Sequence, residues 1–432
     1  MERPSHPENY STLEVDRDKV QNLPVAKEDE AELPQAINSN AADAPEVVKK
    51  REGESDSTVR QRKIWGLRRR TFWVLLAIGI FVIIGAAVGG GVGGALANKG
   101  GSSQPSGPPQ ILPNSNIAAV NYTDAQNVTH YRVYFQATTS SIFQSDYNNS
   151  TAAWTVSPIQ PSGNRSAIVP LNSTSLSAHV DFHLFFIDSD NTIRELTSTL
   201  TDPTWVEGDF KQPLPVVNSS IASSGKQCQQ CSTNNTVIFQ SQLNNENTLN
   251  AVNESANGAS KLIASTVSPV LGSGMALTQL LPDINTNYST FALYVNAGNL
   301  QEITYNATSQ EWALQNAMET DGVVASLSGE AHIAAWCTVQ NNYRHVTVLS
   351  TTSSGGVQLI SWSGVPGQTG WTQNNALDGF EDVEKNSAIT FNEDGRVYAF
   401  ETADDGTTQL TEWVCEDGST FDKVGRVNTT VF

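Results

Sequence analysis

From residue 117 onward, short apolar runs alternate with clusters of turn-forming residues, and no long amphipathic helical period interrupts them. That alternation predicts an all-β fold. The runs also recur in order. A short strand is read as IAAV from Ile117, LSAHV from Leu176, SIASS from Ser220, GMALTQL from Gly274, HIAAWC from His332 and SAITF from Ser387. Each is followed by a more apolar strand: RVYFQ, HLFFI, TVIFQ, FALYV, HVTVL and RVYAF. A polar turn then leads to SIFQS, TIRELT, TLNAV, LQEIT, VQLISW and QLTEW. A fourth element often holds tryptophan, as in AAWTV (Trp154), TWVEG (Trp205), EWAL (Trp312) and GWTQ (Trp371), and the sixth copy has STFDKVG. Four strands recurring at roughly 50–55 residues call for a repeat architecture. Four-stranded sheets repeated radially make a six-bladed β-propeller over residues 117–432, in which closure leaves only short protected edges. A β-sandwich is the competing all-β fold, but it requires no such period.

The first part of the chain reads differently. Residues 1–64 are polar, with scattered prolines and acidic clusters such as KEDEAE. They carry too little apolar surface to offset ordering entropy and are read as a disordered tail. Thr71 to Ala97 is uncharged and exceeds the ~20 residues that cross a bilayer as a helix. The flank at 65–70 holds Arg68, Arg69 and Arg70, with Arg60, Arg62 and Lys63 just before it, whereas only Lys99 follows closely. The positive-inside rule then predicts a type II signal-anchor, with the tail in the cytosol and the C-terminal bulk extracellular or lumenal, at the plasma membrane or in the secretory pathway. A cleaved signal peptide is the alternative, and the long polar tail before the span argues against it. Gly85, Gly89 and Gly93 lie four apart, a spacing that lets two helices approach and would support a homo-oligomer; simple glycine enrichment is the other reading. Residues 98–116, rich in Gly, Ser and Pro, read as a stalk.

Composition narrows the function. The net charge of −19 over 432 residues excludes the basic face a nucleic-acid binder needs. N-x-S/T sequons gather after the span, for example at Asn121, Asn127, Asn172, Asn218, Asn287, Asn306 and Asn428, against one in the tail at Asn9. All four cysteines also follow the span. Proximity favours a Cys228–Cys231 disulfide and a Cys337–Cys415 bridge between distant segments; a redox CxxC or half a zinc site is the alternative for the first pair. No metal or cofactor motif is found. HExxH is absent and the six histidines are scattered. Nor is there a hydrolase nucleophile elbow or a sialidase arginine set, so no enzyme is expected.

Two positions recur across the copies. The second strand begins with Arg132, His183, Thr236, Phe291, His345 and Arg396, and the third carries Gln144, Glu195, Ala251, Glu302, Ser361 and Glu412. With IAAVNY, YRVYFQ, LQEI, LTEW and the tryptophan-bearing fourth strand, the chain resembles the fungal fucose-specific lectins, which are six-bladed propellers. The resemblance spans residues 117–432. It implies sugar pockets between adjacent blades, where a second-strand Arg and a third-strand Glu bind hydroxyls and an aromatic of the next blade covers the apolar face. Those residue types suit a sugar. Arg offers only donors, ionised Glu only acceptors, and an aromatic ring buries the C–H face.

Carried over position by position, the resemblance gives one complete pocket, between blades six and one, with Arg396, Glu412 and Trp154. Between one and two, Arg132 and Trp205 remain but Gln144 replaces the acid. His183 and Glu195 lack a tryptophan across from them, and Glu302 and Trp371 meet Phe291. Thr236 with Ala251, and His345 with Ser361, have lost both anchors. A monosaccharide bound at about 1 mM has only ~4 kcal/mol available, so an incomplete pocket is expected to be silent or altered. The expected partners are fucosylated glycans or glycoproteins. A protein-interaction propeller that has lost its sugar chemistry is the alternative.

Overall fold

A computed structural model describes residues 110–431, apart from 163–167, 180–181, 201–202, 215, 225–235, 254–259 and 307. Six four-stranded antiparallel sheets follow one another along the chain, at 117–158, 176–213, 221–263, 275–315, 333–374 and 389–426. Each is a meander whose strands neighbour one another in sequence order. These are the six blades of a propeller, and the first strand of each lines the central channel.

The apolar runs are continuous because both faces of every blade are covered. Six hydrophobic clusters fill the six junctions. Successive side chains of a strand point to opposite faces, so neighbours serve different junctions. Tyr134 packs between blades one and two, and Phe135 packs between six and one. Blade six takes all four strands from one segment, so no strand is shared to close the ring. Closure comes instead from Val427 and Val431, which enter the six–one cluster, and from Ser145 Oγ donating to Asn428 O at 2.7 Å.

Polar staples hold the junctions as well. Gln240 lies within the second strand of blade three and is fully buried. Its Oε1 accepts from Gly272 N (2.8 Å) and Ser220 N (3.2 Å), and its Nε2 donates to Val270 O (3.0 Å) and Ser273 O (3.2 Å). Gln136 does the same for blade one with Thr174 N, Ser140 O and Leu171 O. Replacing Gln240 by Leu strands buried backbone groups that each cost ~1–3 kcal/mol to leave unpaired. Gln240→Leu is therefore expected to lower stability by about 3 kcal/mol, read from the urea midpoint at constant m-value.

Several expectations change. Blade three closes with the short strand Lys261–Ile263, which has no tryptophan and was not among the recurring motifs. In blade four, Glu302 lies opposite Tyr294, as Glu412 lies opposite Tyr398. The match to Arg396 is therefore Ala292; Phe291 points to the other face. The Cys337–Cys415 bridge is not formed. Cys337 is buried between blades four and five and Cys415 between five and six, so the thiols occupy different layers. Burial pushes the Cys415 thiol up to about 12. Cys228 and Cys231 lie outside the described residues, as do 1–64, 65–70 and the 71–97 span. Among the described residues no helix is long and apolar enough to cross a membrane.

Residues 111–116, read from composition as the end of a stalk, are tied to the ring. Leu112 N donates to Gln136 O at 2.9 Å, Ser115 Oγ accepts from Gln136 N at 2.7 Å, and Asn116 Nδ2 reaches Ser173 O. Of the sequons, Asn127, Asn172, Asn218, Asn287 and Asn306 are exposed, while Asn121 and Asn428 are half-buried. Asn121 Oδ1 accepts from Glu393 N at 3.0 Å, across the six–one junction.

Candidate functional site

The best-formed cluster lies between blades six and one. Arg396 opens the second strand of blade six, with its N–H held by Asn392 Oδ1 at 2.9 Å. Two residues on, and on the same face, is Tyr398, directly opposite Glu412 of the third strand. Glu412 Oε1 accepts from both Arg396 Nη1 and Tyr398 OH at 2.8 Å. The Arg396 side chain is 20% exposed and that of Glu412 5%. Among the described residues no acceptor engages Arg396 Nε or Nη2, so these donors remain for a ligand. Burial is the largest influence and opposes the Arg396 charge, but Glu412, together with Tyr131 and Tyr398, outweighs it and raises the pKa. Burial, and then Glu412, push the Tyr398 hydroxyl well above the phenol range, so it stays a neutral donor.

Blade one supplies the opposite wall. Tyr131, Tyr147 and Trp154 lie side by side on its second, third and fourth strands. Tyr131 and Tyr147 stack with centroids 6.2 Å apart, and Trp154 meets Tyr147 at a tilt of 53° with centroids 5.2 Å apart. The Tyr131 face lies 3.9 Å from Arg396 Cζ, a cation–π contact across the junction. A fixed donor fork, a fixed acceptor and an aromatic wall thus meet at one junction, where the guanidinium is partly exposed. Tyr398, Tyr131 and Tyr147 were missed in the sequence, which singled out Trp154 alone. The usable signal is alternation: the residue just before each second-strand anchor faces the preceding blade.

The junction between one and two uses the same framework differently. Arg132 is 8% exposed. Its Nε donates to Asp146 Oδ2 at 2.7 Å and its Nη2 to Tyr122 OH at 2.8 Å. Tyr122 OH in turn donates to Asp146 Oδ2 at 3.0 Å, and His130 Nδ1 lies 2.8 Å from Asp146 Oδ1. Phe182 of blade two covers the guanidinium at 5.2 Å, as Tyr131 covers Arg396. The fork of Arg132 is therefore engaged by the protein itself. Gln144 accepts from Trp205 Nε1 at 3.2 Å, and Trp205 is buried edge-on against Tyr134.

Between two and three, His183 Nδ1 contacts Glu195 Oε1, and Glu195 Oε2 accepts from Phe210 N at 3.2 Å. A side chain at Gly208 would collide with that carboxylate. His179 stacks on His183 at 4.7 Å. Between four and five, Glu302 Oε1 accepts from Tyr294 OH at 2.9 Å, and the buried Trp371 meets Tyr294 edge-on. Thr236 and Ala251 bring no charge to their junction, nor does Ser361, whose hydroxyl pairs with Thr372 at 2.9 Å. Among the described residues, no group of three or more metal-ligating side chains converges.

Residues 102–264 match the family model described as fungal fucose-specific lectin. No curated protein sequence matches the chain. Among solved structures, the six-bladed lectin of Aleuria aurantia is 18% identical, with 75% of this chain and 99% of that one covered at a TM-score of 0.54. A variant of that lectin in complex with α-methyl-L-fucoside gives 18% identity, coverage of 75% and 98%, and a TM-score of 0.55. AofleA from Arthrobotrys oligospora gives 16%, coverage of 73% and 88%, and 0.53. At these identities the structural likeness concerns the fold. The resemblance to fungal fucose-specific lectins is shown by the family match together with this shared six-bladed ring. The matched segment contains blades one to three; Arg396 and Glu412 lie beyond it.

Proposed function

We propose that this chain is a lectin-like propeller that reversibly binds fucose-like glycans, chiefly in the cleft between blades six and one, and performs no covalent chemistry. One observation carries the reading. Arg396 and Glu412 form a fixed donor–acceptor pair facing the Tyr131–Tyr147–Trp154 wall, with two guanidinium nitrogens unspent. The family match and the fucoside complex of a structural relative support the sugar class. The uncharged Thr71–Ala97 stretch behind its arginine flank supports type II membrane anchoring, with the propeller outside the cytosol. The Gly85/Gly89/Gly93 row supports helix pairing within that anchor.

A second reading has an observation of its own. Arg132 spends its Nε and Nη2 on the protein itself, and two junctions carry neither anchor. A ring with most pockets closed suits a protein-interaction scaffold. Titration of α-methyl-L-fucoside into the full-length protein, with a glycan array, separates the two. Arg396→Ala removes charge-assisted hydrogen bonds of ~1.5–3 kcal/mol, so affinity is expected to fall roughly tenfold to hundredfold. Absence of any glycan signal from the unaltered protein, or unchanged affinity in the variant, would overturn the lectin reading.

A further inference from the structure

The junction between blades four and five keeps an acid without its expected cation. Glu302 occupies the register position of Glu412 and accepts the same tyrosine hydroxyl. The position of Arg396 is Ala292, buried and apolar. The missing guanidinium comes from the other wall. Arg344 stands one residue before His345 in blade five, where blade one places Tyr131 against Arg396. Its Nε donates to Leu281 O and its Nη2 to Thr286 Oγ1, each at 2.7 Å, which fixes the head group and leaves Nη1. The charge of Arg344 is felt by Glu302, yet the two form no ion pair. Trp371 and the half-buried Trp362, paired across adjacent strands, line the same side of blade five.

We propose that this junction is a second hydroxyl-binding pocket of reversed arrangement, in which blade five supplies the donor through Arg344 and blade four the acceptor through Glu302. The proposal rests on the carbohydrate reading above. A sugar hydroxyl can donate to Glu302 while a neighbouring one accepts from Arg344, completing a pair that the protein leaves open.

The pocket differs from the first in its response to pH. Burial holds Glu302 up at about 7, against the opposing pull of the Tyr294 hydrogen bond and of Arg344. The groups around it are Tyr294, kept neutral by burial, the Cys337 thiol, Arg344 with Asp283 behind it, and Asp321, whose carboxylate receives Trp371 N at 2.9 Å. Protonation removes the anionic acceptor and with it the charge-assisted hydrogen bond, so affinity falls as pH drops below about 7. Between pH 8.5 and 5.5 the ionised fraction changes roughly thirtyfold.

The test uses full-length protein, α-methyl-L-fucoside as probe, and ligand-observed NMR at both pH values. Arg396→Ala is expected to retain weak binding at pH 8.5 that falls about thirtyfold at 5.5. Adding Glu302→Gln or Arg344→Gln should remove that residue of binding. If the unaltered protein binds but Arg396→Ala binds at neither pH, or binds independently of pH, the second pocket is refuted and the six–one cleft stands. If the unaltered protein binds at neither pH, the carbohydrate reading falls and this pocket falls with it. Glu302→Gln is close to isosteric, so a loss of binding with an unchanged or raised melting temperature is not unfolding.

Discussion

Asp146→Ala is expected to destabilise the ring by about 3–5 kcal/mol, the usual result of removing one partner from a largely buried ion pair. Asp146 receives Arg132 Nε and Tyr122 OH on one oxygen and His130 on the other. The side chains of Arg132 and Asp146 are only 10% and 13% exposed, so water replaces the lost contacts poorly. Denaturant unfolding at constant m-value measures the effect. A change below 1 kcal/mol would show that the cluster is solvated and contributes little.

The same junction offers a gain-of-function counterpart. Blade six has Glu412 where blade one has Gln144, and Val414 where blade one has Asp146. Gln144→Glu with Asp146→Val moves the carboxylate to the position it holds in blade six. The Tyr134 hydroxyl, counterpart of Tyr398, is buried without a hydrogen-bond partner and would gain one from the new acid. The double variant is expected to recover much of the stability lost in Asp146→Ala and to add one glycan site per chain. Recovery without added stoichiometry would mean that Trp205 and Phe182 leave no room for the sugar.

The ring was legible in the sequence because its physics is written into pattern. A blade buried on both faces needs runs such as RVYFQ, HLFFI and RVYAF, and tight turns between them. Arg396, Glu412 and Trp154 were singled out through recurring strand positions and the resemblance to the fungal lectins. Tyr398 was not, because a tyrosine inside a buried run reads as packing. Its second role appears only when register sets it opposite Glu412. Contacts between blades were hidden for the same reason. Tyr131 is next to Arg132 in sequence but serves Arg396, more than 260 residues away. Phe291 was misplaced by one residue, and one residue reverses the face. The cysteine bridge failed on faces too, since spacing along the chain says nothing about which junction a thiol enters. Blade three's fourth strand has three residues and no tryptophan, too little to stand out from a loop.

Glu302→Gln is expected to stabilise the protein at neutral and alkaline pH and to leave it unchanged near pH 4. The sign follows from linkage. Burial raises the Glu302 pKa in the folded state to about 7, above the 4.5 of the free side chain. The folded protein therefore binds a proton more readily than the unfolded chain. Stability from this group is fully present below about pH 4.5 and is lost as pH rises through 7. A shift of that size corresponds to about 3 kcal/mol, which the amide variant escapes because it does not ionise. Its carbonyl can still accept from Tyr294 OH, so the hydrogen bond need not be lost. The difference in unfolding free energy between the two proteins, followed from pH 4 to 9, should rise along a one-proton curve centred between 4.5 and 7. A flat difference would mean that Glu302 is already solvated when folded. A rising one shows a buried carboxylate kept where it weakens the fold, as the acceptor role proposed for it across from Arg344 requires.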